Sequence, residues 1–259
     1  MDFTLSKYTK IIDAGLAAGY NIGTVGALFE KKLKPPFIVL RHDVDRKPLN
    51  ALAMAKVEAD RGVMASYYFR SVNASFVPDI IAQIRDLGHE IGYHYEDWHT
   101  AKFRPEKAIE LFQEHLAALQ ELAPVKTICM HGSPLSKENN MAIWQHWNYE
   151  DYGVQDCILS YDYSGHAFFT DSGRTFGVSG ANLRDELSKA DIYADVRSTD
   201  DLAAFIKEKR TDKIVLNCHP ERWSDAKLGW ASQFSKDMLT NTIKRGIRLA
   251  RTVRAKPEG

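Results

Sequence analysis

The 259-residue sequence predicts an α/β protein built on a parallel β-sheet. The first observation is a rhythm in which short apolar runs, typical of buried strands, alternate with segments of helical periodicity. The second is that four of the predicted strands end in histidines or acidic residues. Loops at the carboxyl ends of parallel strands are where such folds place their ligands. The length accommodates one α/β barrel or two small domains, and we expect a single domain over residues 1–259.

The first half of the chain shows this rhythm most clearly. Two short helices are expected at residues 4–18 and 25–32, forming a helical cap of about residues 1–34 before the first strand. The following predicted elements are strand 37–40, helix 48–61, strand 64–69, helix 78–87 and strand 90–93. Both of these helices start at a proline and stop at a glycine, as the termini of helices prefer.

The second half is less regular. A helix starting at Pro105 carries apolar residues at helical spacing, and Pro124 closes it before a strand at 125–130. Residues from about 136 to 197 are expected to form an irregular insertion with short strands at 157–159 and 167–170. Regularity returns with a helix at 199–208, a strand at 214–218 and a closing helix at 231–253.

The composition excludes several classes of protein. The 34 basic side chains balance the 34 acidic ones, so no global field would recruit nucleic acid or an anionic membrane. No run approaches the roughly 18 apolar residues of a membrane span, and the first residues lack the apolar core of a signal peptide. We therefore expect a cytoplasmic protein. Its three cysteines favour reduced, buried thiols over a disulfide framework.

Metal-capable side chains follow four predicted strands. These are Asp43 and Asp45, then His94 with Glu96, Asp97 and His99, then His131, and finally His219. If the strands are parallel, all four groups lie on one rim, and such a set fits a divalent metal such as zinc. Simpler interpretations remain open. His42 is a candidate for a hydrogen-bonded residue beside its strand, and either aspartate alone could cap the next helix.

With these residues assembled, the chain resembles the polysaccharide deacetylases, the NodB-homology superfamily of metal-dependent carbohydrate esterases. The resemblance covers roughly residues 36 to 225. RHDVD (41–45) stands where that family has TFDD, and GHEIGYHYEDWH (88–99) matches its GHEIGNHTxxH. HGSP (131–134) and LNCHPERW (216–223) occupy the places of the third motif and of the final LxxHP. The sequences of these motifs look most like those of a deacetylase-like bacterial branch of the family, which is linked to surface polysaccharide assembly.

The resemblance implies a distorted (β/α) barrel of about seven parallel strands that removes an acyl group from an amino sugar. It implies that Asp43 is the catalytic base, that His219 is the acid, and that Asp45 and His94 bind the metal. The two aspartates are adjacent in the family, whereas Val44 separates them here. Their side chains would point differently unless the backbone bends after Asp43, and their roles as base and ligand could be exchanged.

This chain also departs from the family at the second histidine ligand, which in the family lies four residues after the first. That position is Trp98 here. His99 and His131 are equal candidates to replace it, and Glu96 or Asp97 are further alternatives. If none of them reaches the metal, the chain is a catalytically silent carbohydrate-binding protein.

Other residues are expected to serve the substrate. Arg41 or Arg222 would keep the base ionised, and Glu96 would line the site. Trp223 would form a platform for sugar rings together with Tyr93, Tyr95 and Trp98. The expected substrate is a small carbohydrate or a lipid-linked or nucleotide-linked sugar. A non-sugar amide or ester remains an alternative, because a metal site does not specify its acyl substrate.

The C-terminal segment 244–256 is the last feature of the sequence. It carries six basic residues, most of them at helical spacing. A solvated helix face is the simple interpretation. Weak contact with an acidic membrane surface or partner is the alternative.

Overall fold

The fold is an all-parallel α/β structure. The computed structural model describes residues 1–133, 136, 138–177, 187 and 189–254, excluding the side chains of 244, 245 and 247–254. The strands are β1 Asn21–Gly23, β2 Phe37–Val44, β3 Ser66–Phe69, β4 Glu90–Tyr95, β5 Thr127–Met130, β6 Gln155–Asp156, β7 Ala167–Thr170 and β8 Lys213–Cys218. The α-helices are α1 Leu5–Ala17, α2 Val25–Phe29, α3 Pro48–Ala59, α4 Pro78–Asp86, α5 Asp97–Thr100, α6 Pro105–Gln120, α7 Thr199–Lys207 and α8 Lys227–Arg254.

Seven strands form one curled sheet in the order β6-β5-β4-β3-β2-β8-β7, and β1 pairs separately with the start of β2. Every pairing is parallel, and helices flank the sheet. The seven strands make a half-barrel, which confirms the predicted distorted (β/α) barrel. Parallel order also brings the carboxyl ends of all these strands to one rim.

Alternation along each strand divides the core into two parts. In β2, Ile38, Leu40 and Val44 belong to the large apolar cluster shared with the helices, whereas Phe37 and Val39 belong to a smaller cluster inside the half-barrel. That inner cluster also contains Tyr68, Cys129 and Val215 from three other strands. Because side chains alternate with a period of two, Arg41 and Asp43 continue the inner face above this apolar floor.

Several elements differ from the sequence-based expectation. Strand β2 continues four residues beyond its apolar run, because its polar side chains are paired within the fold. Strand β6 lies at 155–156 instead of 157–159, and α8 starts at 227 instead of 231. The three-residue β1 and four-residue α5 were not predicted, since such short elements carry no periodicity and depend on tertiary contacts.

The N-terminal segment and the irregular region take separate positions. Helix α1 packs against α7, and Val25 and Leu28 of α2 join the inner cluster. The 136–197 region contains β6, β7 and two 3₁₀ segments, Asn140–Gln145 and Tyr149–Tyr152. Residues 137, 178–186 and 188 of this region lie outside the described residues, as do residues 134 and 135 just before it, which include the end of the HGSP motif.

Two further expectations can be compared with the structure. Cys129, Cys157 and Cys218 are all buried and free, as predicted. Within the described part of the chain, none of the helices combines the length and the apolar character that crossing a bilayer requires.

Candidate metal and acid–base site

The backbone bends just after Asp43. Strand β2 ends at Val44, and the Asp45 N–H donates a hydrogen bond to the Asp43 carbonyl oxygen (3.2 Å). This tight turn directs both carboxylates toward the end of β4. His94 Nε2 lies 3.6 Å from Asp45 Oδ1 and 3.9 Å from Asp43 Oδ2. The extra residue between the two aspartates is therefore accommodated by a bend.

His131, at the end of β5, completes a three-residue group with Asp45 and His94. Its Nε2 lies 3.4 Å from Asp45 Oδ1, and the two imidazole rings are 5.3 Å apart between centroids. Donor atoms that share a tetrahedral zinc at about 2.1 Å stand about 3.4 Å apart. Among the described residues, Asp45 Oδ1 is buried without a hydrogen-bond partner. A buried carboxylate oxygen facing two imidazole nitrogens is a donor set suited to a divalent metal.

A hydrogen bond at Nδ1 orients the ring of each of these two histidines. His94 Nδ1 lies 3.0 Å from the Cys129 carbonyl oxygen, and His131 Nδ1 lies 2.9 Å from Glu96 Oε2. Since the carbonyl and the carboxylate can only accept, each Nδ1 carries the hydrogen and each Nε2 offers its lone pair. Arg70 in turn donates to Glu96 Oε1 (2.6 and 3.0 Å). Burial alone would raise the pKa of Glu96, but His131 and Arg70 outweigh it and lower that pKa to about 2.

Asp43 is held by a guanidinium from its own strand. Arg41 donates from Nε to Oδ1 (2.8 Å) and from Nη2 to Oδ2 (2.5 Å), and Asn217 Nδ2 donates to Oδ2 (3.0 Å). Burial opposes the charged form, yet the charges of Arg41 and His94 hold the pKa of Asp43 well below its usual value. Asp43 is therefore an ionised, oriented carboxylate. Such a group can accept a proton from a nucleophile.

A second possible metal group overlaps the first. Donor atoms of Asp43, His94 and Cys129 all lie within 4.8 Å of one another. Two features disfavour this set. The Arg41 guanidinium already occupies the Asp43 carboxylate and would repel a cation. Burial also raises the pKa of Cys129 well above its usual value, which keeps the thiol protonated. These two features make Asp45, His94 and His131 the better candidates for metal ligands.

His219, after β8, lies against an aspartate that the sequence interpretation missed. Asp171 Oδ1 stands 2.7 Å from His219 Nδ1, and Asp171 Oδ2 accepts from the His219 backbone N–H (2.9 Å). Arg222 Nη1 and Trp223 Nε1 also donate to Asp171 (2.5 and 2.8 Å). Burial opposes ionisation, but Arg222 and His219 lower the pKa of Asp171 to about 2.

Asp171 carries the same signal that singled out the other candidates. It directly follows β7, a strand predicted at these positions, and so belongs to the same rim. Its carboxylate fixes the orientation of the His219 ring through Nδ1.

Two predicted roles require correction. His99 is exposed on α5 and its ring packs against Phe103 (6.1 Å between centroids), so it is not part of the group around Asp45. Arg222 does not hold the base, because its guanidinium pairs with Asp171. The helical turn of α5 carries His99 away from the end of β4, whereas β5, which pairs with β4, brings His131 next to His94.

The predicted aromatic platform is also absent among the described residues. Trp223 is only 2% exposed and packs against Phe3 and Tyr8. The other three rings, Tyr93, Tyr95 and Trp98, are buried as well. These side chains stabilise the core instead of offering a surface for sugar. The Glu96 carboxylate contacts His131 and Arg70.

His42 faces the helical layer, as the simpler interpretation expected. Its Nε2 lies 2.7 Å from Glu58 Oε1 on α3, and Tyr67 donates to Glu58 Oε2 (2.6 Å). Tyr8 of α1 donates to the same carboxylate. This buried network joins α1, α3 and the sheet directly behind Asp43.

Comparison with known proteins gives limited similarity. No protein-family profile matches the chain, and no curated protein matches it. Among solved structures, one similar chain is a CE4 family pseudoenzyme from Bacillus anthracis, with 11% identity and a TM-score of 0.45. That match covers 78% of this chain, which spans 60% of the length of the pseudoenzyme.

Another similar structure is a peptidoglycan N-acetylglucosamine deacetylase, with 16% identity and a TM-score of 0.42. The match covers 81% of this chain and 83% of that one. At these identities and scores, the similarity assigns no activity to this chain. What defines the site is its own geometry: an acid–base and metal-capable centre on the rim of a parallel half-barrel.

Proposed function

We propose that the protein is a metal-dependent hydrolase that removes an N-acyl group, such as acetyl, from an amino sugar. The observation that carries this proposal is the buried Asp45 Oδ1 with the Nε2 atoms of His94 and His131 within 3.6 Å of it. The amino-sugar substrate follows from the motif resemblance. A divalent metal, zinc in the first instance, would be held by these three residues.

The mechanism divides the work between two sides of the rim. When bound, the metal would act as a Lewis acid that activates water and polarises an acyl carbonyl. Asp43 accepts the proton of the attacking water, since Arg41 keeps its carboxylate ionised. His219 donates a proton to the departing nitrogen, and Asp171 holds its ring in place. Proton transfers of this kind each contribute roughly 10²–10⁴-fold to the rate.

The proposal also covers the substrate and the cellular location. We infer a small carbohydrate, or a lipid-linked or nucleotide-linked sugar, as the substrate and a cytoplasmic location. We also propose that residues 1–259 form one domain.

Metal content provides the first test. Protein purified without chelator is analysed for bound metal, comparing the wild type with His94→Ala, His131→Ala and, as a matched control, His99→Ala. We expect His131→Ala and His94→Ala to lose the metal and His99→Ala to retain it, because His99 is exposed and its ring packs against Phe103. Metal retained in His131→Ala and lost in His99→Ala would reverse the ligand assignment.

Acetate release provides the second test. The wild type is assayed with N-acetyl amino sugars and with simple acetyl esters. We expect turnover of the amino sugars, and Asp43→Asn should abolish it while leaving the metal bound. Turnover of esters alone would favour a hydrolase of non-sugar substrates. Sugar binding with neither metal nor turnover would identify a silent carbohydrate-binding protein.

A further inference from the structure

Helix α8 contacts the rest of the protein through one narrow stripe. Trp230, Gln233, Asp237 and Asn241 recur at helical spacing and are the more buried positions in the described first part of the helix. Their contacts are largely polar. Lys47 Nζ donates to Gln233 (2.9 Å), Arg174 Nε donates to Asp237 (2.8 Å), and Asn241 donates to the Gly173 carbonyl oxygen (3.2 Å).

The opposite side of α8 is exposed and partly apolar. At 100° per residue, Leu228 and Leu239 lie about half a turn away from the centre of the buried stripe, and Ile243 lies about a third of a turn away. Leu228 is 88% exposed, Leu239 66% and Ile243 49%. This arrangement reverses that of an ordinary surface helix, whose apolar side faces the core. An apolar stripe directed to solvent marks a surface that binds something else.

Charge narrows the choice of partner. The α8 sequence contains seven Lys or Arg residues and one acidic residue, Asp237, whose carboxylate is buried against Arg174. The helix therefore has a formal charge of +6, although the whole chain is neutral. The basic residues are Lys227, Lys236, Lys244, Arg245, Arg248, Arg251 and Arg254.

We propose that α8 binds the surface of an anionic lipid bilayer, with Leu228, Leu239 and Ile243 inserted among the lipids. A long helix that combines an apolar stripe with many cations and few acidic groups has the character of an interfacial helix. Each basic residue near such a surface contributes favourably. A second copy of the chain fits less well, since two helices of charge +6 would repel one another. Nucleic acid would leave the leucines unused.

The position of α8 gives this binding a consequence. Its buried stripe rests on Lys47, two residues after Asp45, and on Gly173 and Arg174, just after Asp171. A bilayer bound to the outer side of α8 would therefore be separated from this part of the rim by the width of the helix. If the proposed function holds, a lipid-linked substrate would meet the site near the membrane surface. The lipid binding itself does not depend on that function.

The test is co-sedimentation of the full chain with vesicles. Vesicles of phosphatidylcholine alone are compared with vesicles that also contain phosphatidylglycerol, at low and high NaCl. We expect binding to the anionic vesicles that weakens as salt rises, because the attraction is screened. Leu239→Glu should weaken this binding about tenfold or more, because it removes an inserted side chain and adds a negative charge.

A matched control separates insertion from a general charge effect. Met64, 52% exposed before β3 at the amino ends of the strands, is changed to Glu in the same way. Met64→Glu should bind vesicles like the wild type, and circular dichroism should show that both variants stay folded. Equal effects of Leu239→Glu and Met64→Glu, or no preference for anionic vesicles, would overturn the proposal. Salt-sensitive binding to polyglutamate that Leu239→Glu leaves intact, with no vesicle binding, would favour an acidic protein partner instead.

Discussion

Asp171 offers a quantitative test of how the rim is stabilised. Its buried carboxylate accepts hydrogen bonds from the His219 and Trp223 N–H groups and pairs with the Arg222 guanidinium. Replacing it with asparagine keeps the size but removes the charge. Breaking a buried ion pair from one side costs about 3–5 kcal/mol, because the remaining charge loses its partner. We expect Asp171→Asn to lower the free energy of unfolding by an amount of this order at pH 7.

The pH dependence follows from the same carboxylate. Its pKa falls from the usual value of 3.8 to about 2 in the folded protein. A depression of this size corresponds to about 2 kcal/mol of stability. Because the folded-state pKa is the lower one, this contribution is fully present above the unfolded value. It is lost as the pH falls from about 4 through 2.

Urea unfolding at several pH values measures both effects. The wild type and Asp171→Asn are compared at pH 7 and at decreasing pH, with Asp151→Asn as a control at an exposed carboxylate. The difference between wild type and Asp171→Asn should be largest near neutral pH and should shrink below about pH 4. If Asp171→Asn is no less stable than Asp151→Asn, or if its deficit does not change with pH, the assigned role of Asp171 is wrong.

Three further predictions concern the residues around the site. Removing the guanidinium in Arg41→Met should raise the pKa of Asp43, so the acid limb of the pH–rate profile should move to higher pH; an unmoved limb would contradict the pairing. Glu58→Gln should lower the free energy of unfolding by about 1–3 kcal/mol, measured by thermal or urea unfolding, because the amide cannot match the donors around the carboxylate. Gly92→Ala should destabilise the fold by about 1–3 kcal/mol, because the added Cβ would lie 2.4 Å from the Tyr68 ring. The control is Gly246→Ala in α8, whose added Cβ meets nothing within 4 Å and which should be neutral or stabilising. Equal effects of the two glycine substitutions would refute that packing argument.

The regular part of the fold was predictable because its signals are local. Alternating apolar runs and helix-starting prolines such as Pro48 and Pro78 predicted most of the βα units. Strand β2 was predicted too short, since Arg41 and Asp43 do not look like strand residues in isolation. They extend the strand because each satisfies the other inside the half-barrel.

The candidate site was predicted in outline and incompletely in detail. The rule that polar residues follow parallel strands singled out Asp43, Asp45 and His94. Applied once more, it would also have found Asp171 after β7. The choice between His99 and His131 could not be made in the same way. His99 is close to His94 along the chain, whereas His131 is close to it in space, because it follows β5, which pairs with β4.

The sequence by itself determined which strands carry functional groups, because the position of a residue at a strand end is written in the local pattern. Only the tertiary structure decided which of those groups meet. The turn after Asp43, the pairing of β4 with β5 and the contact of α8 with the rim all join residues distant in sequence. Their placement depends on hydrogen bonds and burial that form only when the sheet curls, and no local sequence signal encodes those distances.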